Sequence, residues 1–147
     1  MTKSIDKSVL EQRVQRFVIC NSKMREATLK SEQAFLKLAG DISAAQLQIL
    51  LAIGENSPCT MNQLAKILHV TQANMTQMAT RLIHKKFIKR TRSKEDQRIV
   101  YVNLLSKGEA ICKLHRKHVE RTAREWFNKM TDEEQESMLA MWEKFLS

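Results

Sequence analysis

Apolar residues recur along this chain with two different periods, and the places where the period changes divide it into elements. Over about 8–38, Leu10, Val14, Phe17, Cys20, Met24, Ala27, Phe35 and Leu38 fall near one face of a helix whose other positions are polar. A second helix over about 43–55 carries Leu47, Leu50, Leu51 and Ile53 inward and is expected to end near Gly54, ahead of Pro58. A short third helix after Thr60 turns Leu64, Ala65, Ile67 and Leu68 to the core. His69 and Val70 then make a tight turn into Thr71, whose hydroxyl suits an N-cap, and a fourth helix runs to about Lys85. Beyond it the period drops to 2. Residues 87–92 read as a strand, 93–98 as a hairpin loop and 99–104 as the returning strand, with Val100, Val102 and Leu104 on one face. Two strands alone are marginal and must lean on helices. Helical spacing resumes over about 106–128 and 131–146.

Helix starts are marked independently by Ser or Thr followed three residues on by Glu or Gln, a pairing that satisfies two orphan backbone N–H groups reciprocally. Ser8 with Glu11, Ser43 with Gln46, Thr60 with Gln63, Ser106 with Glu109 and Thr131 with Glu134 all stand ahead of apolar runs at helical spacing. The fold expected is mainly α with a small β-hairpin wing, as one domain over 1–147: helices about 8–38 and 106–146 flank a central lobe about 43–104.

Composition agrees. A chain of 147 residues that is 43% apolar can bury a core of its own. Three Gly and one Pro are too few for a many-turned β architecture. No apolar run approaches the roughly 20 residues of a membrane helix, and the N-terminus lacks a cleavable leader pattern, so a soluble, cytoplasmic protein with no membrane partner is expected. The cysteines Cys20, Cys59 and Cys112 are odd in number and widely spaced, which suits reduced thiols.

Charge sharpens the picture. The net charge is +9, and residues 81–98 hold Arg81, Lys85, Lys86, Lys89, Arg90, Arg92, Lys94 and Arg98 against only Glu95 and Asp96, which places +6 of the excess there. A concentrated positive field attracts polyanions, nucleic acid first. A short helix, a turn, a longer helix and then a basic hairpin is the order of a winged helix-turn-helix. Helical spacing gives the longer helix two faces. Met75, Met78, Ala79, Leu82 and Ile83 point inward, while Gln72, Ala73, Asn74, Thr76, Gln77, Thr80 and Arg81 point out, after Thr71 at the cap. Asn and Gln can pair with adenine, Arg with guanine, and Ala or Thr methyls can touch the thymine methyl, in a major groove roughly 12 Å wide. Lys94, Asp96 and Arg98 occupy the wing.

With these elements in place the sequence resembles the multiple-antibiotic-resistance regulator (MarR) family. The resemblance runs through Leu64, Ala65, Val70, Thr71, Met75, Leu82, Ile88 and Arg90, the wing Ser93-Lys94-Glu95-Asp96-Gln97-Arg98, and Val102, Leu104 and Gly108, and the long first and terminal helices fit that family's layout. It implies a dimeric, DNA-binding transcriptional regulator, a repressor released by a small aromatic or anionic effector, with Arg98 entering the minor groove and Asp96 holding the wing by ion pairing. Two positions depart from the family pattern. Lys86 stands where relatives usually have Gly, so a left-handed backbone there costs about 1–2 kcal/mol unless the helix ends differently. Leu105 replaces the usual Thr, and Ser106 with Glu109 can cap one residue later.

Trp126, Phe127, Trp142 and Phe145 head a large apolar payload on the terminal helices, with Met130, Met138, Leu139, Met141 and Leu146. A two-fold homodimer interface built jointly with the first helix would cover it and set two reading helices about 34 Å apart, so the DNA should carry an inverted repeat. Met24 and Arg25 are candidates for the edge of an effector pocket. Cys112, His115 and His118 share residue types with zinc sites, but steps of three drift around a helix and no fourth ligand stands out, so no metal or cofactor is expected. Cys20 invites a redox reading. Its setting is an apolar stripe, and the only tyrosine, Tyr101, lies on the wing strand, so an inert thiol is expected. No glycine-rich phosphate loop or nucleophile elbow supports an enzyme. A protein-docking module fits the fold but sits badly with a lysine-rich face.

Overall fold

A computed structural model describes residues 6–147. Helix α1 spans Lys7–Ala39. Its cap is Asp6, whose carboxylate accepts from the backbone N–H of Ser8 at 2.8 Å, so the chain becomes helical before the Ser8–Glu11 pair can serve. A hydrogen bond from the Ser8 hydroxyl, at 2.8 Å, and then that backbone bond hold the Asp6 carboxyl below its usual range. Along α1 the expected stripe is present but open: Leu10, Val14, Phe17, Met24 and Leu38 are exposed, and Phe35 is buried. The chain separates into two compact units, one through Ala44 that contains α1, the other Ala45–Ser147.

The second unit runs α2 (Ala44–Asn56), β1 (Cys59–Thr60), α3 (Met61–Ile67), α4 (Gln72–His84), β2 (Ile88–Arg92), β3 (Val100–Leu104), α5 (Ser106–Phe127) and α6 (Asp132–Leu146). Leu47, Ile49, Leu50 and Ile53 of α2 are buried, with Leu64 of α3, Met75, Ala79 and Leu82 of α4, and Phe87, Ile88 and Val102 of the hairpin. Each of these side chains larger than alanine contributes about 1.5–3 kcal/mol on leaving water, and together they form the core beneath α4. Two apolar placements depart from the expected helical phase: Ile67 is exposed, and Ile49 lies in the core. Leu51, Leu68, Met78 and Ile83, expected inward, are half-buried. Gly54 does not end α2. It stays helical, and the helix runs on to Asn56 before Pro58; a Cβ at Gly54 would make only ordinary contacts, 3.6 Å from the Sγ of Cys112.

The sheet has three strands, in the order β1-β3-β2. Strands β2 and β3 pair antiparallel from Ile88 opposite Leu104 to Arg92 opposite Val100. The addition to the expected hairpin is β1, which pairs Cys59 with Val102 and Thr60 with Tyr101. A two-residue strand has no period to read. Helix α5 begins after Leu105, which occupies the cap with no side-chain bond, so Ser106 is the first helical residue and the Ser106–Glu109 cap is not used. The reason lies in the backbone: the Leu105 N–H donates to the Phe87 carbonyl at 2.9 Å, fixing where the helix starts. Thr131 and Glu134 do form a complete capping box at the head of α6. No single described helix is long and apolar enough to cross a membrane.

Candidate nucleic-acid interface

Two caps set the ends of the helix pair. The Thr60 hydroxyl accepts from the Gln63 N–H at 3.3 Å while the Gln63 side chain accepts from the Thr60 N–H at 2.8 Å, a reciprocal box that starts α3. At the head of α4, Thr71 Oγ1 accepts from the Asn74 N–H at 3.3 Å. Between them the chain turns in a Schellman motif: the Val70 N–H donates to the Ala65 carbonyl at 3.0 Å and the His69 N–H to that of Lys66 at 3.2 Å. His69 takes the left-handed conformation this needs, with φ 52°.

The same device closes α4. The Phe87 N–H donates to the Leu82 carbonyl and the Lys86 N–H to that of Ile83, both at 2.9 Å, with Lys86 at φ 60°. Lys86 therefore adopts the left-handed backbone despite its Cβ. Burial of both Leu82 and Phe87, the apolar pair that normally accompanies such a cap, offsets the strain.

Gln72, Ala73, Asn74, Thr76, Gln77, Thr80 and Arg81 are all exposed, over a buried face of Met75, Ala79 and Leu82. Thr71 is exposed as well as capping. The Thr80 hydroxyl donates back to the Thr76 carbonyl at 2.8 Å, so its proton is engaged and its methyl and lone pairs are what it offers. Beyond the helix, β2 is buried only at Ile88. Lys89, Arg90, Thr91 and Arg92 are exposed on both faces, which makes the cationic surface wider than the reading helix and wing tip named from sequence. Strand alternation hid this, because it assigns one face of every strand to a core.

The wing loop is shaped by short polar side chains. Ser93 Oγ accepts from the N–H groups of Glu95 and Asp96 at 3.2 and 3.3 Å, and Asp96 Oδ1 accepts from the Arg98 N–H at 2.9 Å. This corrects the expected ion pair. Asp96 instead holds the backbone of Arg98. Lys94, Asp96 and Arg98 are exposed. An Asx turn fixes where the arginine leaves the loop while its guanidinium stays available.

The remaining candidates are scattered. Cys112 donates to the Leu50 carbonyl at 3.4 Å, and burial first, then the Glu55 carboxylate, pushes its thiol pKa up against the opposing pull of Arg116. His118 Nδ1 lies 3.3 Å from the Arg121 guanidinium. Among the described residues no trio of His, Cys, Asp or Glu is placed to hold a metal, and Cys112, His115 and His118 do not converge. Cys20 is exposed rather than packed, Cys59 is buried with its pKa raised by that burial, and Met24 and Arg25 lie open on α1. A cleft of about 830 Å³ opens between α2, the end of β3 and α5, lined by Leu51, Glu55, Leu104, Cys112, Lys113 and Arg116 among others. On the terminal helices Trp126, Trp142 and Phe145 are exposed, Phe145 by 80%, and Phe127 is half-buried.

Comparison with known proteins places these features in a context. The MarR family model matches residues 42–100, from the start of α2 through the wing loop. An HTH-type transcriptional regulator of Bacillus subtilis, YpoP, is 30% identical over 92 residues, covering 63% of this chain and 62% of the relative. The multiple antibiotic resistance protein MarR of Escherichia coli is 38% identical over 72 residues, covering 49% and 50%. The match thus spans less than two thirds of either relative. Among solved structures, Streptococcus pneumoniae FabT in complex with DNA superposes with a TM-score of 0.75 at 28% identity, over 92% of this chain and 96% of that one.

Proposed function

This chain belongs to the MarR family, and on that premise we propose that it is a regulator of transcription that binds double-stranded DNA sequence-specifically. The observation that carries the reading is the outer face of α4: seven exposed, mostly short hydrogen-bonding residues on a helix anchored by buried Met75 and Leu82, beside an exposed cationic strand and wing. FabT, of the same fold, was solved on DNA. Gln72, Ala73, Asn74, Thr76, Gln77, Thr80 and Arg81 read base edges in the major groove. Lys94 and Arg98 reach from the wing, Arg98 into the minor groove, whose negative potential suits a guanidinium. Asp96 acts through the backbone, aiming Arg98.

The chain acts as a cytoplasmic homodimer. Exposed Trp126, Trp142 and Phe145 on the terminal helices supply apolar surface of the kind that a second copy buries, and the open stripe of α1 supplies apolar surface of its own. The regulator works as a repressor, released when a small aromatic or anionic effector favours a spacing of the two lobes unsuited to DNA. The cleft beside Lys113 and Arg116 has the volume for such a molecule, and those two cations, set among Glu55, Glu109 and Glu120, can meet an anionic group on it.

Selection of bound fragments from genomic DNA, followed by footprinting, tests this. The expected result is an inverted repeat with half-sites about one helical turn apart. Enrichment of unrelated sequences, or of single half-sites with no symmetry, contradicts it.

A further inference from the structure

The C-terminal end of α4 meets the first turn of α5 at a corner that is more tightly built than the wing beyond it. The last carbonyls of a helix lack intrahelical donors, and that end carries a partial negative charge. At α4 the Schellman bonds satisfy Leu82 and Ile83, and the Lys85 carbonyl accepts from Lys107 Nζ at 3.3 Å, from a side chain 22 residues further along. The same ammonium stands 4.2 Å from the centroid of the Phe87 ring, within cation–π range. Phe87 is gripped from its other side too. Its carbonyl accepts from the Leu105 N–H at 2.9 Å, and Gly108 approaches so closely that a Cβ there would lie 2.4 Å from that oxygen. Three neighbours at the head of α5 thus hold the link between α4 and β2. An apolar side chain at 107 would cover the Phe87 ring equally well. What the ammonium adds is direction, since unlike an apolar side chain it can donate to the Lys85 carbonyl at the C-cap of α4.

We propose that Lys107 is a positioning residue for DNA reading: by bonding the Lys85 carbonyl over the Phe87 ring it fixes the axis of α4, so that Gln77, Thr80 and Arg81 meet base edges in register, without itself touching DNA. The inference rests on the DNA-binding reading above and deepens it by naming a determinant of specificity outside the reading face. A small rotation of α4 leaves phosphate contacts largely available but misaligns hydrogen bonds to bases, so the loss falls on selectivity rather than on overall affinity.

The test uses the full chain and two probes: random-sequence duplex DNA, and the duplex that the wild type enriches from a random pool. Lys107→Met keeps the aliphatic stem over Phe87. The expected result is a selectivity ratio between the two probes about tenfold lower, with affinity for the random duplex and its salt dependence unchanged and with Lys107→Arg restoring most of the ratio. An unchanged ratio overturns the proposal. So does a salt slope shallower by about one unit, which makes Lys107 a phosphate contact, or a deficit that Lys107→Arg does not repair. A wild type that enriches no sequence overturns the DNA reading itself, and this inference with it.

Discussion

The lobe from α2 through β3 and the pair α5–α6 share one compact unit yet solve opposite problems. In the lobe the large apolar anchors from Leu47 to Val102 are inside, and apart from Ile67 and Ile99 what faces out is mostly polar or cationic. In α6 no residue is buried, in α5 only Gly108 is, and Trp142, Phe145 and Leu146 stand 50–80% exposed. The lobe buries its anchors within one chain, whereas the terminal helices leave apolar side chains open, the kind of surface that an interface buries. Substitutions should therefore act through stability in the first region and through association in the second.

Identical truncations make that contrast testable. Leu50→Ala removes a fully buried side chain and should lower the unfolding free energy by about 2–5 kcal/mol at any protein concentration, in denaturant titrations. Trp142→Ala or Phe145→Ala should leave the dilute chain's stability nearly unchanged and weaken dimerisation by about 2–4 kcal/mol in sedimentation equilibrium. A large unfolding defect in the second pair, with self-association intact, would mean that these aromatics belong to a single-chain core.

Next in size is Arg98→Ala. The side chain is exposed and its backbone stays held by Asp96, so the melting temperature should scarcely move while affinity for the selected duplex falls by about 10–100-fold. A fold defect with normal affinity would place Arg98 among structural residues instead. Lys86→Gly probes the reverse: relief of a strained left-handed residue should raise stability by about 1 kcal/mol, with DNA binding unchanged. A loss of stability would show that the lysine stem contributes more than its backbone costs.

Most of the lobe was legible because its signals are local. Caps at Thr60 and Thr71, like that at Thr131 outside the lobe, and the shift from helical to alternating period placed helices and strands within a residue or two. The failures share a cause, namely that tertiary contacts decide among locally equivalent options. Leu105 is fixed by Phe87 across the corner, and the two residues of β1 pair only because β3 is beside them; at Lys86, left open between a left-handed cap and a different helix end, the joint burial of Leu82 and Phe87 decides for the first. Asp96 was open to a better reading, since an aspartate two residues before an N–H is the spacing of an Asx turn. The outward face of α4 followed from periodicity alone, but Lys107 could not, because no sequence pattern brings it to Lys85.

The smallest expected effect concerns the thiols. Burial raises the pKa of Cys59 and Cys112 in the folded chain, so folding favours their protonated forms. That contribution is fully present below the unfolded thiol pKa and is lost as the pH climbs through the raised folded values. The melting temperature should accordingly drop on the alkaline side, and drop less when both are replaced by Ala. An equal alkaline drop in the double variant would assign it to other groups.

The central claim is that the polar face of α4 and the cationic wing, in duplicate, neutralise and read duplex DNA. Its most direct test is affinity for random duplex measured against salt concentration. Each neutralised phosphate contributes about −0.9 to the log–log slope, so two wings and two reading helices predict a slope steeper than about −4. A flat response would contradict the claim and leave the same surface to a protein partner.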